Sequence, residues 1–405
     1  MQHIIEKIKR LSENIGRDVV LMELCGTHTE AVAKNGIKKI LPENVRLLSG
    51  PGCPVCVTDQ SDINAVIKLA LEGIPIACYG DVLRVPGTLK YQIPKTKNQN
   101  YNRKTKSIGQ CNCHCEESSK ATKQSQVLQP NLSLDKAREM GADITEVYST
   151  EDALKLQNNK PDLVFFGLGF ETTTPMTADA IKRGLAVYSS HKLFVPAMQA
   201  LVDTPSLKID GFINPGHVST IIGTGPYKKL EFKELSSLEK GAKLLGTKAI
   251  PQVITGFTGE DVLLGIYMLL RQISEGRAEV ENEYIRSVRP EGNPKAIAVI
   301  NEVFEVEDAY WRGLGKIPRS GLKVRERYAK CDAKKKYESI LSVLDTKYYI
   351  QNTDSGCLCG AILRGLKEPK DCRLFCKNCT PENPVGACMV SSEGACGIEA
   401  KYREM

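Results

Sequence analysis

Between residue 18 and about residue 275, short apolar runs alternate with amphipathic stretches, and this alternation restricts the fold more than any other feature of the chain. The apolar runs predict strands at Val19–Leu24, Val45–Leu48, Ile74–Tyr79, Ile144–Tyr148, Leu163–Gly167, Leu185–Ser189, Phe212–Asn214 and Ile250–Thr255. Helical patterns at Asp59–Glu72, Leu134–Met140, Pro175–Arg183, Leu238–Leu245 and Glu260–Gln272 lie between them. A tight turn cannot join two parallel strands, so a βαβα order implies parallel sheets covered by crossover helices. So many strands suit two sheets better than one. The expected fold class is therefore α/β, with two Rossmann-like parallel-sheet domains facing a cleft and a loop-rich C-terminal domain. Boundaries near 150 and 280 divide the chain into 1–150, 151–280 and 281–405. Residues from about 91 to 129 are rich in Lys, Asn, Gln and Ser and read as a low-complexity insertion. After residue 280 the alternation fades. Glu281–Arg289 and Pro294–Val303 read as helices, and a loop-rich stretch leads on to the C-terminal cysteines.

With 405 residues, 41% apolar and 25% charged, the composition is that of a globular chain able to bury several cores. No apolar run approaches the roughly 20 residues of a membrane span. The N-terminal Ile4, Ile5, Ile8 and Leu11 follow helical spacing among charges, unlike a signal peptide, so the expected compartment is cytoplasmic. Residues 90–125 carry eight Lys or Arg and two Glu, which is +6 of the net +7. The remainder is nearly neutral and lacks interleaved aromatic and basic residues, which argues against a nucleic-acid partner.

Fifteen cysteines in a cytoplasmic chain point to metal or redox chemistry rather than disulfide stapling. Seven lie in the tail: Cys357, Cys359, Cys372, Cys376, Cys379, Cys388 and Cys396. Zinc favours two close pairs, and only Cys376 and Cys379 form one. An iron–sulfur cluster tolerates wider and less regular spacing. Spacing alone favours a cluster and leaves zinc in contention. Cys111-Asn112-Cys113-His114-Cys115 resembles a metal knuckle but lies in the low-complexity insertion and reads as adventitious. Cys78 and Cys331 read as small apolar residues.

In open α/β sheets, ligands bind beyond the carboxyl ends of the strands. The unusual tripeptides gather there. One strand ends in Cys25-Gly26-Thr27-His28-Thr29 and another in Gly50-Pro51-Gly52-Cys53-Pro54-Val55-Cys56. Others end in Gly80-Asp81, in Gly169-Phe170-Glu171-Thr172-Thr173-Thr174-Pro175, and in Pro215-Gly216-His217-Val218-Ser219. The Cys53/Cys56 pair precedes a helix that starts near Asp59, and a helix N-terminus favours thiolate, so the pair reads as a redox-active or metal-handling dithiol, with half of a zinc site as the alternative. Cys25 and His28 could share a soft metal, or the imidazole could activate the thiol. Glu171 is as well explained by capping the helix after Pro175 as by catalysis. His217 could be a turn residue, and Asp81 a cap.

Leu21–Thr29, the Gly50–Thr58 loop, Gly80-Asp81, Arg84–Gly87, Phe165–Pro175, Pro215–Ser219, Trp311–Gly315 and Met389–Cys396 together resemble the HypD family of [NiFe]-hydrogenase maturation factors. The likeness spans nearly the whole chain. It implies a [4Fe–4S] cluster on Cys359, Cys372, Cys379 and Cys396, leaving Cys357, Cys376 and Cys388 as extras. It implies assembly of an Fe(CN)2CO unit with a HypC-type chaperone and a HypE-type cyanide donor, the iron being held by Cys25. Cys53 and Cys56 correspond to the family's redox pair, and His28, Glu171, His217 and Asp81 to its cleft motifs. A free-standing thiol–disulfide oxidoreductase and a zinc-stabilised binding module are the rival readings. The 91–129 insertion departs from the family pattern.

Overall fold

The structure, a computed structural model, describes residues 2–89, 132–204, 207–228, 250–342 and 356–403. The insertion with Cys111, Cys113 and Cys115, and the predicted helix Leu238–Leu245, lie outside the described residues.

Each expected strand is present within a few residues of its predicted bounds. They are β1 Val19–Glu23, β2 Val45–Ser49, β3 Ile76–Cys78, β4 Ile144–Glu146, β5 Val164–Gly169, β6 Ala186–His191, β7 Gly211–Pro215 and β8 Gln252–Thr255. They form two parallel sheets. One has the order β2-β1-β7-β8, extended at its edge by β9 (Val280–Asn282), and the other has the order β4-β3-β5-β6. Strand membership does not change at residue 150. The four-stranded sheet is inserted whole between β2 and β7 of the five-stranded sheet, and Leu21 of β1 pairs with both Leu47 and Gly211.

Both faces of the sheets are covered, and each strand's alternation sorts its side chains between cores. On β1, Val19 and Leu21 face the helices Gln2–Ile15 and Gly259–Ser274 through Ile8, Val262 and Ile266. Met22 and Leu24 enter a central core that also takes Val164, Phe166 and Leu168 of β5 and the apolar side of the cysteine tail. Phe165 points to the far side, against the helix Thr174–Lys182 and Val303. One continuous core thus joins both sheets to the tail.

Two expectations after residue 280 need correction. Glu281–Arg289 is not a helix. Val280–Asn282 pairs in parallel with Gln252–Ile254, and turns follow; a long-range sheet edge overrides the helix preference of a Glu-rich segment. The stretch after the helix Pro294–Val303 is not loop-rich at its start. β10 (Phe304–Trp311) and β11 (Gly315–Val324) form an antiparallel hairpin with an irregularity between Glu307 and Ala309. Phe304 and Trp311 at its ends are buried, and the intervening side chains alternate in exposure.

Candidate functional site

The carboxyl ends of β1 and β2 set the geometry. Cys25 is the N-cap of the helix Gly26–Lys34 and is buried. Any side chain at Gly52 would overlap the Cys25 backbone, so a glycine is needed for the loop carrying Cys53 to lie against Cys25. Cys53 and Cys56 are joined as a disulfide at the start of the helix Pro54–Val57, and the Cys56 amide donates to Cys53 Sγ at 3.1 Å. Both sulfurs' residues are buried. Cys56 Sγ also reaches the Ala387 carbonyl of the tail, at 3.9 Å.

Burial pushes the Cys25 thiol up to about 12, and the nearby Glu393 carboxylate adds to the shift. Glu23, which sequence reasoning missed, lies beneath this loop with 1% exposure. It accepts from Thr29 Oγ1 at 2.5 Å and from the Cys25 amide at 3.1 Å, and burial raises its carboxyl to about 7. A charged residue closing an apolar strand was the available signal.

His28 is fully buried. Its Nε2 lies 3.0 Å from the Gly256 carbonyl and 2.9 Å from Thr255 Oγ1, and burial lowers it to about 4. A carbonyl only accepts, so Nε2 carries the hydrogen and Nδ1, which has no partner, presents a lone pair. His28 and His217 both stack on Phe257, at centroid distances of 4.8 and 3.8 Å. His217 follows β7, the strand beside β1, so it shares a sheet with Cys25 rather than with Glu171.

Asp81 and Glu171 stand at the ends of β3 and β5 on the other sheet. Glu171 is a cap, but not of the helix after Pro175. Its carboxylate accepts the Phe194 amide at 3.0 and 3.3 Å, at the start of the helix Phe194–Val202. Burial raises it to about 7. Buried Tyr227 lies close to both Glu171 and Cys25, and burial raises its hydroxyl well above the usual range. Asp81 binds the tail: Ser391 Oγ, Ser392 Oγ and the Ser392 amide donate to it at 3.1, 2.8 and 3.3 Å. The next tail residue, Glu393, accepts from Thr27 Oγ1 at 3.1 Å. One short loop of the tail therefore ties the Asp81 end of one sheet to the Cys25 end of the other.

In the tail, Cys357, Cys359, Cys372, Cys379, Cys388 and Cys396 line one recess, with Ile362, Phe375 and Met389 supplying apolar wall. Cys376 stands apart, with a φ of 51° and its amide donating to the Cys379 carbonyl. A Cβ on Gly386 would lie 2.6 Å from Cys357 Sγ, so glycine leaves room at the rim. Among the described residues, no three His, Cys, Asp or Glu side chains converge to hold a single metal ion. Thiols spread around an apolar recess fit a multi-iron cluster, which needs four separated thiolates. Cys359 Sγ lies 2.7 Å from Cys388 Sγ, and this contact lowers the Cys359 thiol. Cys78 is buried and Cys331 half-buried. No helix among the described residues is long and apolar enough to cross a membrane.

The HypD family pattern, described as "Hydrogenase formation hypA family", matches residues 1–120 and 122–403. The chain is 40% identical to the hydrogenase maturation factor HypD of Cupriavidus necator, over 96% of its own length and 90% of that protein's. It is likewise 40% identical to the factor of the same name from Azotobacter vinelandii, over 95% and 90% of the two chains. A putative hydrogenase expression/formation protein of Methanocaldococcus jannaschii is 38% identical over 99% and 96%. Matched from end to end by the family pattern and by relatives at this identity, the chain belongs to the HypD family of hydrogenase formation proteins.

Proposed function

We propose that this maturation factor assembles the Fe(CN)2CO unit of a [NiFe]-hydrogenase, with iron as cargo held at Cys25. A HypC-type chaperone would share the iron, and a HypE-type protein would deliver cyanide. The observation that carries this reading is the packing of Gly52, in the loop that leads into Cys53, onto the Cys25 backbone. This packing supports the reading because a soft thiol suits low-spin iron and a neighbouring dithiol can store two electrons. Cys25 binds the cargo, the buried Glu23 orients the Cys25 amide, and His28, held neutral by burial, keeps an unpartnered Nδ1 lone pair. Burial of Cys53 and Cys56 keeps bulky disulfides away, which disfavours a free-standing oxidoreductase.

The tail would hold a [4Fe–4S] cluster, which supplies single electrons when bound. Cys372, Cys379 and Cys396 are three ligands in either of two sets. The contact between Cys359 and Cys388 favours Cys357 as the fourth and leaves Cys359 and Cys388 as a second sulfur pair.

Two measurements test the reading. Protein purified anaerobically should contain about four iron and four sulfide per chain; stoichiometric zinc without sulfide would refute the cluster. Cys25→Ala should retain the cluster's absorption and lose the cyanide and carbonyl infrared bands of a HypC-type complex. Survival of those bands would remove Cys25 as the iron ligand.

A further inference from the structure

The ends of three neighbouring strands bring four rings together. In the order β1-β7-β8, the segment after β1 carries His28, the segment after β7 carries His217 and the segment after β8 carries Phe257. The Phe257 ring lies 4.8 Å from that of His28 and 3.8 Å from that of His217 between centroids, with interplanar angles of 24° and 20°. Tyr284 meets Phe257 edge-on at 5.9 Å. A Cβ on Gly216 would lie 2.7 Å from Tyr284 Cδ1, so the backbone leading into His217 packs against the same group of rings.

The loop that carries Phe257 is held firmly. The Gly256 amide donates to Glu283 Oε2 at 3.0 Å, and the Gly256 carbonyl accepts from His28 Nε2. Thr258 and Asp261 exchange capping bonds of 3.1 Å at the start of the next helix, and Arg286 pairs with Asp261. His28 is thus bound at its edge by Thr255 and Gly256, while the ring of the following residue stacks on its face. His217 has no comparable support. It is exposed, and among the described residues neither of its ring nitrogens has a hydrogen-bond partner. Stacking on Phe257 sets the plane of its imidazole, and both nitrogens remain free for a ligand.

We propose that Phe257 is a positioning residue for the assembly reaction, a platform that fixes the imidazole of His217 at the strand end next to that of Cys25. The two strand ends are joined by the Leu24 amide, which donates to the Ile213 carbonyl at 3.1 Å. The inference rests on the assembly reading above. It gives buried His28 the task of seating Phe257, and it leaves the nitrogens of His217 free to donate or accept a proton. A tilt of the platform would carry those nitrogens away from their working place without touching either cysteine loop.

The test compares Phe257→Leu, which removes the ring, with Phe257→Tyr, which keeps it. Full-length protein is purified anaerobically in complex with a HypC-type chaperone, and the cyanide and carbonyl infrared bands are measured per chain. Nuclear magnetic resonance of histidine-labelled protein reads the stack itself, because ring current moves the His217 ring protons upfield. His217→Gln assigns that resonance among the chain's five histidines. Phe257→Leu should weaken the bands roughly tenfold and return the His217 resonance to the free-imidazole position, while Phe257→Tyr keeps both near wild type. Full bands in folded Phe257→Leu overturn the inference and leave the assembly reading standing. So does a loss of bands with the His217 resonance unmoved, which assigns Phe257 to structure alone. Absence of the bands from the wild type overturns the assembly reading and the inference together. Should Phe257→Leu fail to fold, the wild-type spectrum decides: an upfield His217 resonance supports the platform, and one at the free-imidazole position overturns it.

Discussion

Replacing Glu171 by Gln separates the two roles this side chain combines. Glutamine retains an oxygen for the Phe194 amide, so the helix cap survives, but it cannot ionise. In the native protein, burial raises the Glu171 carboxyl from 4.5 to about 7. Between those two values the unfolded chain has lost its proton and the native protein still holds it, so native stability falls as pH rises through this window. Above about 7 both states are ionised and no further loss occurs. At 1.36 kcal/mol per unit, the burial cost amounts to about 3 kcal/mol, absent at pH 4 and complete above pH 8. Urea unfolding of wild type and Glu171→Gln, compared from pH 4 to 8.5, should show the variant gaining about 3 kcal/mol relative to wild type across that range. The protonated-carboxyl band in the infrared spectrum at pH 6 should weaken in the variant. Parallel stability profiles, or an unchanged band, would show that Glu171 is ionised throughout and that burial does not govern it.

Two further perturbations follow from the packing around Cys25 and the tail. Cys357→Ala should abolish the visible absorption of the cluster while Cys359→Ala retains it; the reverse pattern would restore the ligand set built on Cys359. In Gly26→Ala the new methyl would meet the Glu393 carbonyl at 2.5 Å, which must separate the tail loop from the Cys25 loop. Overpacking and loss of the Thr27–Glu393 hydrogen bond should together destabilise the fold by about 2 to 4 kcal/mol. Alkylation of Cys25 should quicken in that variant, and an unchanged rate would show that the tail loop does not shield it.

The strands of both sheets were legible because parallel strands buried on both faces read as continuous apolar runs. Val164–Leu168, whose alternate side chains enter different cores, is such a run. The site loops were legible for a related reason, since the chain places them where those runs end. What local sequence does not encode is which strands pair. His217 and Cys25 belong to neighbouring strands far apart in the chain, and cutting the chain at residue 150 separated them. Capping of the Phe194 helix by Glu171 failed the same way, because its acceptor comes from another loop rather than from the preceding turn. β9 gains its conformation from β8, against its own composition. The hairpin is different: in Phe304–Trp311 only the first four residues alternate, and Val306 and Tyr310 face outwards while Glu305 and Glu307 are half-buried, so the residue pattern hides the strand.

Insertion of one sheet within the other has a consequence for how the chain must be made. β1 and β2 leave the ribosome first, but β1's other neighbour, β7, lies some 190 residues downstream, a separation bridged in the native protein by the bond from the Val20 amide to Asp210. At typical synthesis rates that gap is roughly 10 to 40 seconds. During it the four-stranded sheet, contiguous from Ile76 to His191, can close, while the free edge of β1 and the apolar Met22 and Leu24 wait uncovered. An unpaired apolar edge held open that long invites wrong pairing. The nascent chain is therefore most exposed to misassembly along β1, the strand that leads into Cys25.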